Sequence, residues 1–315
     1  MNSVRKGKVP GWWDWSHIAA EKPDMMEEIR RMSLADVVAL SNDRFHVVVY
    51  DTQTEFDVAE ALEYVTVLRS STPTAPKAIC CPIGPVRQHA PLWRIINGLG
   101  ISLCDGVVLP MDEFIVDGRA IPQNHPLSFA GANLSGWINR IDPKLRPALV
   151  NVHHLTEDVE PYKAAWNDTG LEVLITQGGL GDTGHFAFDD PVPQEGKWVD
   201  QPPTPDEYAE FQTRIVPLHP WTISQDARHS TGGDVSLIPS TAVTVGAKEV
   251  LGKSKRLSFW HPGYHAPAIV IWMAAYMISK GIQDSRLPQS LFARHADVTY
   301  HLLRPGIRPP GINVD

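Results

Sequence analysis

Cysteine is scarce in this 315-residue chain: Cys80, Cys81 and Cys104 are the whole complement. Two adjacent cysteines and one distant one make no disulfide framework, and a reducing cytoplasm is the expected setting. Basic residues are outnumbered, 28 to 36, for a formal net charge of −8. That balance argues against a general nucleic-acid binder, while leaving room for a local basic pocket. Long hydrophobic runs are missing too. The most apolar stretch, Pro267 to Lys280, is too short to span a bilayer and predicts a buried helix. The N-terminus has no apolar core of the signal-peptide kind, so a cytoplasmic protein without membrane attachment is expected. No internal repeat or heptad pattern appears. The paired His153 and His154 lack a carboxylate or cysteine at ligand spacing, and read as structural or exposed.

What is present is a chain long enough for one large α/β domain or two small ones, with ordinary apolar content. Residues 1–43 read as an extension, 44–303 as the main domain and 304–315 as an extended, proline-rich tail. Within the extension, Gly11-Trp12-Trp13-Asp14-Trp15 reads as a clamp on the main domain or a subunit interface; a sugar-stacking platform is the alternative. Ser33 suits an N-cap for a short helix to Leu40. His46–Tyr50, Lys77–Cys81, Cys104–Leu109, Leu171–Thr176 and Arg256–Trp260 read as strands. Val58, Ala61, Leu62, Val65 and Leu68 fall at helical spacing after the first of them. His295–Tyr300 suits a late edge strand, and Val192 to Asp206 a loop.

One stretch organises the rest: Gln177-Gly-Gly-Leu-Gly-Asp-Thr-Gly-His-Phe-Ala-Phe-Asp-Asp-Pro191. It follows a strand, and its glycines let a ligand approach the backbone. His185 titrates near neutral pH, and Asp190 lies five residues on. A histidine and carboxylates on one loop are the parts of an acid–base site.

This stretch resembles the sugar-phosphate isomerase motif of the glucosamine-6-phosphate deaminase family, Gly-x-Gly-x-Asp-Gly-His-x-Ala-Phe-Asn-Glu-Pro. Thr183 stands where the family has aspartate, a carboxylate sits one place earlier at Asp182, and the family's glutamate is Asp190. Met111-Asp112-Glu113-Phe114 is similar to a second family signature, whose first aspartate moves a proton between sugar carbons; that role falls on Asp112. Asn124 to Phe129 matches a His-Pro-x-Ser-Tyr segment whose expected task is to start a helix. Thr213-Arg214-Ile215 and, without gaps, the family's phosphate arginine at Arg228 follow, then a Thr-Val-Gly helix start at Gly246. The family's phosphate-cradling turn, Pro-Thr-Gly-Gly-Thr-Pro, is altered most. Pro82 and Gly84 survive, but Ile83 replaces a hydroxyl donor and Pro85 has no N–H to give. Arg87 either compensates for the lost donors or is a solvated surface residue. The family's phosphate-touching lysine is His265 here.

The resemblance spans residues 44–303 and implies a three-layer α/β fold, a doubly wound, mostly parallel sheet with helices on both faces. Gly84, Asp112, His185 and His265 should then meet in one crevice at strand carboxyl ends. The implied activity is aldose–ketose isomerisation, with or without loss of ammonia. Asp112, His185, Asp190 and Asp182 would be catalytic, with the last two orienting the imidazole. Gly84, Arg87, Glu113, Gly181, Thr183, Gly184, Arg228 and His265 would bind substrate. No metal or organic cofactor is implied, and the partner is a small sugar, unphosphorylated or carrying an atypical anion. A sugar-lactone hydrolase and a non-catalytic sugar-binding protein stay open, as does a homo-oligomer.

Overall fold

The computed structural model describes residues 9–84, 86–263, 266–307 and 310. Pro85 and His265, both weighed above, lie outside the described residues. The strands in chain order are β1 (Phe45–Tyr50), β2 (Lys77–Cys81), β3 (Val107–Pro110), β4 (Asp112–Val116), β5 (Arg119–Ala120), β6 (Glu172–Gly178), β7 (Arg214–Pro217), β8 (Thr241–Thr244), β9 (Arg256–His261) and β10 (Val298–Leu303). The helices are α1 (Trp15–Glu21), α2 (Pro23–Arg31), α3 (Leu34–Val38), α4 (Gln53–Arg69), α5 (His89–Leu99), α6 (Phe129–Gly136), α7 (Glu160–Asn167), α8 (Pro205–Ala209), α9 (Pro220–Ser230), α10 (Ala247–Lys253) and α11 (Ala268–Ser279).

Among the described residues, six strands form an all-parallel sheet in the order β1-β10-β9-β6-β2-β3. Alternation along β2 shows why it is covered on both faces. Ala78 and Cys80 join the core beneath α11, while Ile79 and Cys81 join the one beneath α4 and α5. A parallel strand buried on both sides reads as a continuous apolar run, and after the half-buried Lys77, Ala78-Ile-Cys-Cys81 is one. The expected three-layer α/β architecture is therefore the observed one. One expectation is corrected: β10 is not an edge strand but lies between β1 and β9. Its six residues are all buried, because β1 rather than β10 ends the sheet.

Helix α11 is buried from Val270 through Ile278, on every side. It is packed between the sheet and the N-terminal helices, with the Trp272 indole donating to the Met32 carbonyl at 3.0 Å. Ile18, Met26, Ile29 and Val37 of the N-terminal segment are buried in that same core. Ser33 caps α3 as read, accepting from the Asp36 N–H. The tail is not fully extended: Arg304–Gly306 form a 3₁₀ turn. No helix among the described residues is long and apolar enough to cross a membrane.

A second, antiparallel sheet, β5-β4-β8-β7, grows out of the first. The chain leaves β3 at Pro110, crosses Met111 and enters β4 at Asp112, which pairs with Thr244. Asp112 therefore stands at the junction of the two sheets. The chain also reverses its direction of winding between β2 and β6. From β2 it steps outward to β3, and from β6 it steps the other way to β9 and β10. A crevice opens at such a switch point, beyond the strand carboxyl ends.

Candidate active site

That crevice is a cavity of about 580 Å³. Loops after β2 and β6, the β3–β4 junction and helix α9 line it. It brings together Gly84, Arg87, Asp112, Gly181, His185 and Arg228, which are spread over nearly half of the sequence. Phe114, Phe129 and Phe188 form an aromatic wall, with Phe129 and Phe188 stacked at 5.8 Å.

The loop after β6 is tightly tied. The Gly184 N–H donates to the Gly181 carbonyl at 2.9 Å, closing a turn around His185. Gly184 has φ +80°, and a side chain there would run into Leu287. A Cβ on Gly181 would sit 1.9 Å from His185 Nε2, so glycine makes room for the ring. Ala187 holds φ +49°, an uncommon backbone for a residue with a side chain, of the kind that gathers at functional loops. Two residues that the motifs did not flag anchor the loop. The Gln289 amide donates to the carbonyls of Gly179 and His185, and the Tyr208 hydroxyl to those of Asp189 and Asp190.

His185 Nδ1 lies 2.6 Å from Asp190 Oδ1. The same oxygen accepts from the hydroxyls of Thr183 and Thr222, both at 2.7 Å, and Oδ2 accepts from the His219 N–H at 3.0 Å. Burial by itself would raise the Asp190 pKa. The His185 charge and hydrogen bond, with His219, outweigh it and bring the carboxyl down to about 2. Burial likewise works against the charged imidazole, yet the Asp190 carboxylate leaves His185 raised above its ordinary value. With Nδ1 committed to Asp190, Nε2 is the ring nitrogen left for chemistry in the cavity.

Asp112 is buried and faces the same cavity. Burial first, then the neighbouring Glu113 and Asp226 charges, push its pKa well up, and His185 pulls in the other direction. A carboxylate with raised proton affinity suits the uptake of a proton from carbon.

Several residues expected at the site stand elsewhere. Glu113 does not line the cavity. Its carboxylate turns to the start of α6, accepting from Ser128 Oγ and from the N–H groups of Phe129 and Ala130. That is a helix N-terminus holding an anion, and Ser128 caps the helix as its segment predicted. Thr183 is fully buried behind the imidazole, spending its hydroxyl on Asp190 rather than on a ligand. Gly184 shapes the turn and does not line the cavity either. Asp182 does not orient His185. It pairs with Arg228, Nη2 to Oδ2 at 2.7 Å, and its N–H donates to Gln225. The arginine of Thr213-Arg214-Ile215 pairs with the buried Asp189 at 2.7 Å, away from the cavity. Arg228 and Arg87 do line the cavity, the latter 3.3 Å from Asp57.

Helix α9 supplies residues that the sequence reading passed over: Gln225, Asp226, His229 and Ser230. Only the three-to-four-residue spacing of Thr222, Gln225 and Asp226 hinted at a common face. Burial pushes Asp226 up to about 7, against the pull of His185. Among the described residues no group of three or more histidines, cysteines and carboxylates is arranged to hold a metal ion.

The N-terminal aromatic cluster packs against the outside of this loop. The Trp15 indole donates to the Asp182 carbonyl at 2.9 Å and its ring meets Trp221 at 5.4 Å. Trp13 donates to the Trp198 carbonyl, and the Trp12 ring stands edge-on to His219. None of the three tryptophans lines the cavity, so the sugar platform gives way to the clamp.

No family model matches the chain. It is similar to curated glucosamine-6-phosphate deaminases, at 29% identity over 194 residues for that of Phocaeicola vulgatus and 26% over 193 for that of Borreliella burgdorferi. These alignments take in 59% and 60% of this chain, and the chain spans 65% of the length of either relative. Among solved structures, a monomeric glucosamine-6-phosphate deaminase superposes with a TM-score of 0.65 at 18% identity, over 82% of this chain and 98% of its own. The 6-phosphogluconolactonase of Trypanosoma cruzi gives 0.53 at 14%, over 84% and 96%. The resemblance carried by the motifs is thus met again in similarity to these relatives over about 60% of the chain, and the two solved structures share the fold over 82% and 84% of it.

Proposed function

We propose that the protein is an aldose–ketose isomerase acting on an amino sugar or a related sugar, with release of ammonia where the sugar carries a C2 amine. The observation that carries this reading is one cavity holding both Asp112 and an imidazole clamped by Asp190. His185 Nε2 takes the proton from the anomeric hydroxyl and returns it to the ring oxygen, opening the ring. Asp190 keeps the imidazole in one orientation and stabilises its charged form. Asp112 then removes the C2 proton and delivers it to C1, so an enediol or enolamine forms and collapses. From an amino sugar the product is an imine at C2, which takes up water and loses ammonia to leave the ketose. Each acid–base step is typically worth ~10²- to 10⁴-fold.

The substrate we propose is unphosphorylated, or carries a smaller anion such as a carboxylate. The support lies at the altered turn, where Ile83 and Val86 face the cavity, and at Arg228, already engaged by Asp182. A phosphate dianion needs several donors to replace its water, and each missing charge-assisted hydrogen bond removes ~1.5–3 kcal/mol. The test is a screen of aldoses and amino sugars, with and without a 6-phosphate, following ketose and ammonia together. Hydrolysis of a sugar lactone without isomerisation would replace the reading by that of a lactonase, and binding without turnover by that of a sugar sensor.

A further inference from the structure

We propose that Asp226 is the carboxylate that receives a substrate ammonium group, making the cavity selective for an amino sugar over its hydroxyl counterpart; the inference rests on reading this cavity as a sugar site. Asp226 sits on α9 and lines the cavity together with Asp112. Its Oδ2 is buried and makes no hydrogen bond. A cavity-lining carboxylate with an oxygen that no protein donor satisfies is short of a donor, which a ligand can bring.

The nearby cations His185 and Arg228 pull on Asp226 from a distance, but neither hydrogen-bonds to it. Arg228, two residues further along the chain, donates to Asp182, and His185 Nδ1 is held by Asp190. The charge on Asp226 is strong enough at Asp112 to raise that group further, so this wall is acidic. A phosphate or carboxylate placed there would meet like charge. A hydroxyl could donate one hydrogen bond and would leave the charge uncompensated. An ammonium supplies three donors and the opposite charge. A metal ion is a poor alternative, since no group of three or more ligating residues is assembled among the described residues.

Seating a cation on this wall has a second consequence. It favours the ionised form of Asp112, the form that can act as a base. The same contact that selects the amine would thereby help arm the proton-transfer step.

Calorimetry on the full chain with glucosamine and glucose, each free and as its 6-phosphate, tests the assignment. The wild type should bind the amino sugar at least tenfold more tightly than the hydroxyl sugar of each pair. Asp226→Asn, folded by its thermal unfolding, should bind both members of a pair alike, mainly by losing affinity for the amine. Asp226→Ser serves if the asparagine variant does not fold. Equal binding of amine and hydroxyl by the wild type would overturn the proposal without reference to any variant. A preference that survives both substitutions would overturn it as well. Turnover is measured beside binding. An amine preference lost in the variants, with no sugar converted, would sink the isomerase reading and leave the ammonium site standing. Sugar isomerisation without amine preference would do the reverse.

Discussion

The two ends of the cavity are built differently. At the imidazole end, Asp190 accepts from His185, Thr183, Thr222 and the His219 backbone, and all four partners are buried. At the proposed anion end, the side chains of Arg87 and Arg228 are 57% and 48% exposed, and each leans on a carboxylate of its own. Proton transfer demands fixed geometry, and a fully satisfied hydrogen-bond network supplies it before any substrate arrives. Exposed ion pairs hold little and rearrange at little cost. Under the proposed function, the acid–base end is preorganised, while the end that would meet the sugar's far side is left adaptable.

The contrast is broken most severely through Asp112. Asp112→Asn should lower kcat by about 10²- to 10⁴-fold. Binding and the thermal midpoint should change little, because the substitution keeps the shape and removes a costly buried charge. Near-normal turnover by the folded variant would remove Asp112 from the mechanism. His185→Gln should cost about 10²-fold or more on a ring-closed sugar and distinctly less on a locked open-chain analogue. Equal losses on the two would mean that another group opens the ring.

Asp190→Ala tests whether the imidazole end is a stability element as well as a catalytic one. It strands four buried donors, and losses of ~3–5 kcal/mol are usual when a buried charged pair is broken. The pH dependence of the pair has two limbs. Asp190 sits at about 2 against an ordinary 3.8, so its contribution is present above pH 3.8 and is lost as pH falls through about 2. His185 is raised above 6.5, so its contribution is full below pH 6.5 and is lost as pH rises through the folded value. Denaturant unfolding across pH should show both limbs in the wild type and neither in Asp190→Asn. Persistence of the acid limb in that variant would assign it to other carboxylates.

The smallest effects should come from the anion end. Arg228→Ala should weaken binding of an anionic sugar several-fold while also freeing Asp182, and Arg87→Ala should do less, as its pair is the more exposed. A clear preference for phosphorylated sugars, abolished by Arg87→Ala, would overturn the contrast and make Arg87 the substitute phosphate ligand. Trp15→Phe removes the indole bond to the Asp182 carbonyl and part of the ring packed near Trp221; the lost bond alone should cost about 1 kcal/mol of stability.

The framework was legible in the sequence because local rules govern it. Lys77–Cys81 forms a strand because its last four residues, all buried, read as one apolar run, and Ser33 caps a helix because its side chain reaches an N–H three residues on. The glycines of the loop after β6 marked where a ring and a tight turn would need space, and the motif order marked the strand ends that meet in one crevice. Where the site's side chains point was decided by the tertiary structure. Thr183 looks like a loop residue facing ligand, but Asp190 takes its hydroxyl from behind the imidazole, helped by Thr222 from another element. Glu113 follows Asp112 in sequence, yet alternation along β4 turns it to the opposite side, where the start of α6 captures it. Asp182 meets Arg228 across 46 residues, and Asp226 reaches the cavity only because α9 packs over the crevice. Periodicity and turn chemistry act within a few residues and are written in the sequence. The partner of a charged side chain depends on where the chain returns, and only the packed structure fixes that.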